Sequence, residues 1–207
     1  MSDTLSQKEI TRLVQSVFSP TKADTQLVIL TDIPDETVQD NAEWRERRAM
    51  AWQWKTMLEA SISETGLENI IAASYANVHN NNADLPETVW LMDSSPEDLD
   101  AATLPQQGKK VSLSSLLQET TMVVAPTHFS ATAPLKLLAK KHTFRAATMP
   151  GFSRRLIPAL KIDYEKVNAQ VSRLKELLDP ATALDIRFQI DGRETCDIHF
   201  DLRFRAA

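Results

Sequence analysis

The chain has 207 residues, of which 43% are hydrophobic and 25% charged, with a formal net charge of −5. That is the make-up of a globular protein with a core to fill, either one large domain or one α/β domain and the start of a second. The acidic balance, with no basic stripe interleaved with aromatics, argues against a nucleic-acid surface, and the single Cys196 excludes an internal disulfide or a thiolate metal cluster. No apolar run approaches the roughly 20 residues of a membrane span, and the N-terminus carries no signal-peptide apolar region. The expected setting is the cytoplasm.

In chain order, Ile10, Leu13, Val14, Val17 and Phe18 recur at helical spacing behind the cap residue Ser6, a helix that ends near Pro20. Leu27 to Ile33 is a buried strand that opens into a loop containing Asp32, Asp35, Glu36 and Asp40. A helix follows from near Glu43 to about Ser63, with Met50, Trp54, Met57, Leu58 and Ile62 on its apolar face. Trp44 and Trp52 are expected to be partly buried, and Gly66 is the stop. Asn69 to Tyr75 and Thr88 to Met92 are the next strands, the first leading into an Asn-rich loop and the second ending at Asp93 before a helix start at Ser94-Ser-Pro-Glu97.

Gln106 to Lys110 reads as a turn, Ser112 or Ser114 as the cap of a short helix through Glu119, and Thr121 to Ala125 as an apolar strand. Its outgoing loop, Pro126-Thr-His-Phe-Ser130, carries Thr127 and His128. A helix with a basic end at Lys140 and Lys141, which suits the helix dipole, precedes a strand from Thr143 to Thr148 and the loop Met149 to Arg155. Tyr164, Val167, Val171, Leu174 and Leu178 mark a further helix closed by Pro180. Finally, Leu184 to Ile190 and Ile198 to Phe204 alternate apolar and polar residues around Asp191-Gly192, a hairpin signal. Cys196 falls on the dry side of that hairpin, where a buried thiol is expected. The fold class is therefore α/β: a mostly parallel, Rossmann-like sheet flanked by helices over 1–162, then a helix and an antiparallel hairpin over 163–207 that begin a second domain and are cut short at Ala207.

With only Gly66, Gly108, Gly151 and Gly192, the chain has neither a Walker loop nor a dinucleotide fingerprint, so a ligand would be met by side chains. In an open α/β sheet those are the residues at the carboxyl ends of the strands. The candidates are Asp32, Asp35, Asp93, Thr127, His128, Arg154 and Arg155. The carboxylates would attract an amine, and the arginines would take a carboxylate, an arrangement fitted to a peptide; the ordinary reading of each is a solvated loop residue. Asp197, His199 and Asp201 share one strand face, but alternating charges are the usual wet side of a hairpin.

Val28-Ile-Leu-Thr-Asp-Ile-Pro-Asp35, Trp44-Arg-Glu-Arg-Arg48, Met149-Pro-Gly-Phe152, Ile157-Pro-Ala-Leu160 with Asp163-Tyr164, and Asp201-Leu-Arg-Phe-Arg205 resemble the amino-terminal half of the aminopeptidase T family, the thermophilic, leucyl-aminopeptidase-like metallopeptidases. The resemblance implies an amino-terminal α/β domain whose two-metal site belongs to a carboxyl-terminal domain beyond Ala207, so no cofactor is expected in this chain. It further implies a non-catalytic, peptide-binding or protein-interaction module, or alternatively the amino-terminal part of a metal-dependent aminopeptidase. The dry hairpin face calls for a cover, which makes a homodimer or a different partner chain the expected company.

Overall fold

A computed structural model describes residues 4–204, apart from the side chains of Tyr164, Glu194 and Thr195. Arg205 and the Tyr164 side chain, both drawn on above, lie outside the described residues. The chain divides into two compact units, one up to Leu160 and one from Lys161.

The first unit runs α1 (Gln7–Phe18), β1 (Gln26–Ile33), α2 (Ala42–Ala60), α3 (Ile62–Thr65), β2 (Asn69–Ala76), β3 (Thr88–Met92), α4 (Leu104–Gln107), β4 (Gly108–Ser112), α5 (Leu113–Gln118), β5 (Met122–Ala125), α6 (Thr132–His142), β6 (Arg145–Thr148), a 3-10 turn (Arg154–Leu156) and α7 (Ile157–Leu160). Its six strands form one sheet in the order β4-β3-β2-β1-β5-β6. The pairs β1–β2, β1–β5 and β5–β6 are parallel, whereas β2–β3 and β3–β4 are antiparallel. The sheet is therefore mixed.

Every residue of β1 is buried, because both of its edges are paired and both of its faces are covered. That double cover is why it reads as an apolar run over Leu27 to Leu30, with the buried Thr31 and Asp32 behind it. Leu27 and Ile29 pack with Val14, Phe18, Met50 and Trp54 of α1 and α2 on one face. Val28 and Leu30 pack with Leu113, Leu117 and Leu135 of α5 and α6 on the other. Helix α1 starts with a full capping box, Ser6 receiving the Glu9 N–H while the Glu9 carboxylate receives the Ser6 N–H. Helix α2 starts at the cap Asn41 and stops at Ala60, so the long helix expected to Ser63 is split into α2 and α3.

Two loop assignments change. Residues 108–112 are not a turn but the edge strand β4, whose exposed Lys109 and Lys110 gave it the polarity of a loop; lysines on an edge strand discourage pairing with another chain. The helix expected from Ser94 does not form, because the carbonyls of Pro96 and Glu97 turn to the Arg48 guanidinium instead of a helical ladder. Only the four-residue α4 follows.

The second unit holds α8 (Tyr164–Leu178), β7 (Ala183–Ile190) and β8 (Arg193–Asp201). The two strands pair antiparallel in a separate sheet, with a register shift between Phe188 and Gln189. Asp191 and Gly192 both take positive φ, as the tight turn demands.

Gly108 matters for its size. A Cβ built there would stand 2.7 Å from Trp90 Cβ, an atom fixed to the neighbouring strand. Gly108→Ala is expected to lower the unfolding free energy by about 1–3 kcal/mol, read as a lower urea midpoint; an unchanged midpoint would mean that β3 and β4 are not paired in this register.

Candidate functional site

From β1 the chain passes to β2 on one side of the sheet, and β5 lies on the other. The carboxyl end of β1 is thus where strand order reverses, the position at which open α/β sheets bind ligands. Asp32 sits there with 1% of its surface exposed. Its Oδ1 accepts the backbone N–H of His128 at 2.7 Å and the indole N–H of Trp44 at 3.0 Å, and its Oδ2 accepts the backbone N–H of Phe129 at 2.9 Å. The Trp44 indole also donates to the Asp32 carbonyl. Burial pushes the carboxyl pKa up against these donors and the His128 charge, which pull it down.

The rings close over this carboxylate. His128 stacks on Trp44 with centroids 4.2 Å apart, and Phe129 meets both rings edge-on. Burial holds the His128 pKa below its ordinary value, with Arg47 and Arg48 adding to that and Asp32 and Asp40 opposing it. Its tie to Asp32 runs through the backbone N–H and not the ring. The arrangement orients a loop and supplies no acid–base pair. Thr127 is fully buried, its hydroxyl donating to the Phe129 carbonyl within the same loop.

Two residues that sequence reasoning did not single out stand beside Asp32. Arg47 is buried, donates from Nε to the Phe152 carbonyl at 2.6 Å and leaves Nη1 without a partner among the described residues. Burial lowers its pKa, and the charges of Asp32 and Glu43 raise it back in part. Tyr75, the register partner of Asp32 on β2, is equally buried, its hydroxyl unpartnered among the described residues, and burial followed by the Asp32 charge holds its pKa well above 10.0. The available signal was the Trp44-Arg-Glu-Arg-Arg48 run: residues three and four apart share a helix face.

The acidic loop is held by different partners. Asp40 makes a two-pronged ion pair with the fully buried Arg48 at 3.0 and 2.8 Å. Asp35 bonds His79 Nε2 at 2.6 Å and the N–H groups of Thr37 and Val38. Asp35, Glu36, Asp40, His79 and Asp100 line an open cleft of about 730 Å3, which places a negative field at this edge. Of the candidates named from sequence, Asp32, Thr127 and His128 come together and Asp35 lies in this cleft. Asp93 is exposed past β3, Arg155 is exposed on the 3-10 turn, and Arg154 pairs with Glu46 at 2.8 Å.

On the hairpin, Asp197 pairs with Arg187, His199 with Asp185 and Asp201 with Arg203. No group of three or more His, Cys, Asp or Glu side chains among the described residues is arranged to hold a metal ion. Cys196 is exposed, not buried. It does share the apolar side with its register partner Phe188, but alternation assigns a side and not a cover. The same is true of Val171 and Leu174 on α8, both 55% exposed, and of Ile190, Ile198 and Phe200 on the hairpin. No helix of the described residues is long and apolar enough to cross a membrane. Comparison with known protein families, with curated proteins and with solved structures yields no match.

Two outcomes follow for the carboxyl edge. Asp32→Asn would turn an amide N–H toward a backbone N–H, and is expected to cost about 1–3 kcal/mol in urea unfolding followed by tryptophan fluorescence; equal stability would mean that the three donors are not gathered on this carboxylate. For Asp40, burial raises the pKa, but hydrogen bonding and charge from Arg48, with help from the Asn41 N–H and Arg45, bring it below 3.8. A carboxylate depressed on folding contributes stability above its unfolded pKa and loses it as pH falls through the folded one. Arg48→Met should therefore cost about 3–5 kcal/mol at pH 7, a penalty that shrinks below pH 3.8. A penalty independent of pH would exclude the Asp40 pairing as its cause.

Proposed function

We propose that this chain is a non-catalytic binding domain that works by self-association through its second unit, with a second copy of the chain as the partner. The observation that carries the reading is the open apolar surface of that unit. Val167, Val171, Leu174 and Leu178 follow one another at steps of four, three and four, the spacing of a helix–helix seam. Helix α8 nevertheless leaves Val171, Leu174 and Leu177 exposed, as the hairpin does Ile198 and Phe200. Burying such side chains contributes about 1.5–3 kcal/mol each, and exposed apolar side chains gathered on one side of a helix and of a ribbon support an association surface.

Charge favours a like partner. From Lys161 onward the chain carries eight Lys and Arg against nine Asp and Glu, so two copies of this unit meet with little net repulsion. Its charges are also engaged locally, Lys166 with Asp163 and Lys175 with Asp179 on the helix, Arg187 with Asp197 across the strands. The first unit then serves as scaffold, a Rossmann-like domain of the aminopeptidase T kind, and the capture of Asp32 by three N–H donors agrees with a domain that performs no acid–base chemistry.

Sedimentation equilibrium on the full chain tests the reading. A dimer is expected, with Leu174→Glu and Ile198→Asp each shifting the equilibrium toward monomer while the far-ultraviolet spectrum of the first unit persists. Reaction of the Cys196 thiol with a disulfide reagent should slow as protein concentration rises. A chain that stays monomeric up to about 1 mM, the affinity equivalent of 4.1 kcal/mol, has no such function.

A further inference from the structure

The two edges of the six-stranded sheet are unlike one another. At the β4 edge Lys109 and Lys110 lie on the strand itself. At the other edge β6 carries Ala146, Ala147 and Thr148, small side chains that leave the backbone open. The N–H groups of Arg145 and Met149 donate inward to Thr121 and Ala125 of the β5 segment. In a parallel pair alternate residues turn their N–H and C=O to the same side, so Ala146 and Thr148 present theirs outward, past the end of the sheet.

Beside that free backbone lies a groove of about 470 Å3 between α6 and β6, the size of a small-ligand or short-peptide site. Leu135, Ala139 and Ala146 give it an apolar floor, and Lys136 and Lys140, one helical turn apart, stand on its wall. Neither lysine makes an ion pair among the described residues. The Arg145 guanidinium, in contrast, is engaged with Asp24 and the Phe18 carbonyl.

We propose that the β6 edge is a docking site for an extended acidic segment of another protein, which adds to the sheet as a seventh strand. The outward N–H and C=O groups of Ala146 and Thr148 supply the main-chain ladder, as in other strand additions. The period of two along a strand directs every second side chain of the guest into the groove. There the stems of Asp or Glu lie over Ala139 and Ala146, and their carboxylates reach Lys136 and Lys140. The small side chains of Ala146 and Thr148 keep the approach clear. This inference concerns the first unit alone and stands whether or not the second unit self-associates.

A dye-labelled, end-capped hexapeptide of alternating Glu and Val, titrated into the full chain and followed by fluorescence anisotropy, tests it. Saturable binding is expected, weakened about tenfold or more by Ala146→Pro, which deletes one outward N–H, and by Lys136→Glu with Lys140→Glu, which reverses the wall charge. A Lys–Val hexapeptide should not bind. At saturating Glu–Val peptide, amide hydrogen exchange should slow at Ala146 and Thr148. Should Ala146→Pro fail to fold, the charge reversal on the exposed side of α6 and the exchange measurement decide alone. Absence of saturable binding, equal binding of the Lys–Val peptide, affinity unchanged by charge reversal, or unprotected Ala146 and Thr148 amides would each overturn the proposal.

Discussion

The capture of two backbone N–H groups and one indole N–H by the Asp32 carboxylate is the interaction on which the carboxyl edge of the sheet depends. A buried carboxylate is tolerated only where hydrogen bonds replace its hydration. Here the donors come from α2 and from the loop after β5, elements that reach the end of β1 from different parts of the chain. One side chain therefore ties together the strand, the helix after it and a loop almost a hundred residues later. Stacking of His128 on Trp44 adds an apolar lid that excludes water and strengthens the bonds beneath it. The crevice at which strand order reverses is in this way occupied by the protein's own groups.

Arg48 does for the neighbouring loops what Asp32 does for the centre. Fully buried, it holds Asp40 through two bonds and takes the carbonyls of Pro96 and Glu97 with the rest of its fork. A planar guanidinium with fixed donors can brace three chain segments at once, which a lysine could not do. Arg47, one residue earlier, has one such bond to the Phe152 carbonyl and an unpartnered Nη1. Together with the Tyr75 hydroxyl this leaves unused hydrogen-bonding capacity in the interior among the described residues, at a desolvation cost of about 1–3 kcal/mol for each orphaned group.

How much of this was legible in the sequence follows from where each residue gets its constraint. Leu27 to Ile33 could be read because a doubly covered parallel strand is largely apolar, and Asp32, Thr127 and His128 because they stand at or just past the carboxyl ends of such strands. Gly108–Ser112 was hidden, since an edge strand pairs on one side only and its Lys109 and Lys110 look like a loop. The missing helix after Ser94 was hidden for another reason: its carbonyls go to an arginine some fifty residues away. Arg154 was expected to take the carboxylate of a ligand and instead meets Glu46 of its own chain, because spacing in sequence carries no distance in space. Cys196 was put on the correct side of its ribbon, and burial was wrongly inferred from that.

The Cys196 error separates the two units physically. In the first, apolar stripes on α1, α2, α5 and α6 all find the sheet, and Asp32 and Arg48 inside it are hydrogen-bonded across elements. In the second, the stripe on α8 and the apolar side of β7–β8 are patterned as strictly, yet Val171, Leu174 and Phe200 stay exposed. A helix of 15 residues is marginal in water by itself, and so is a hairpin of two strands. Patterning without cover leaves each of these elements an apolar side that an association would bury. Under the self-association proposed here, folding of the second unit and formation of the dimer are one linked equilibrium, while the first unit draws its stability from Asp32, Arg48 and a core already closed around β1.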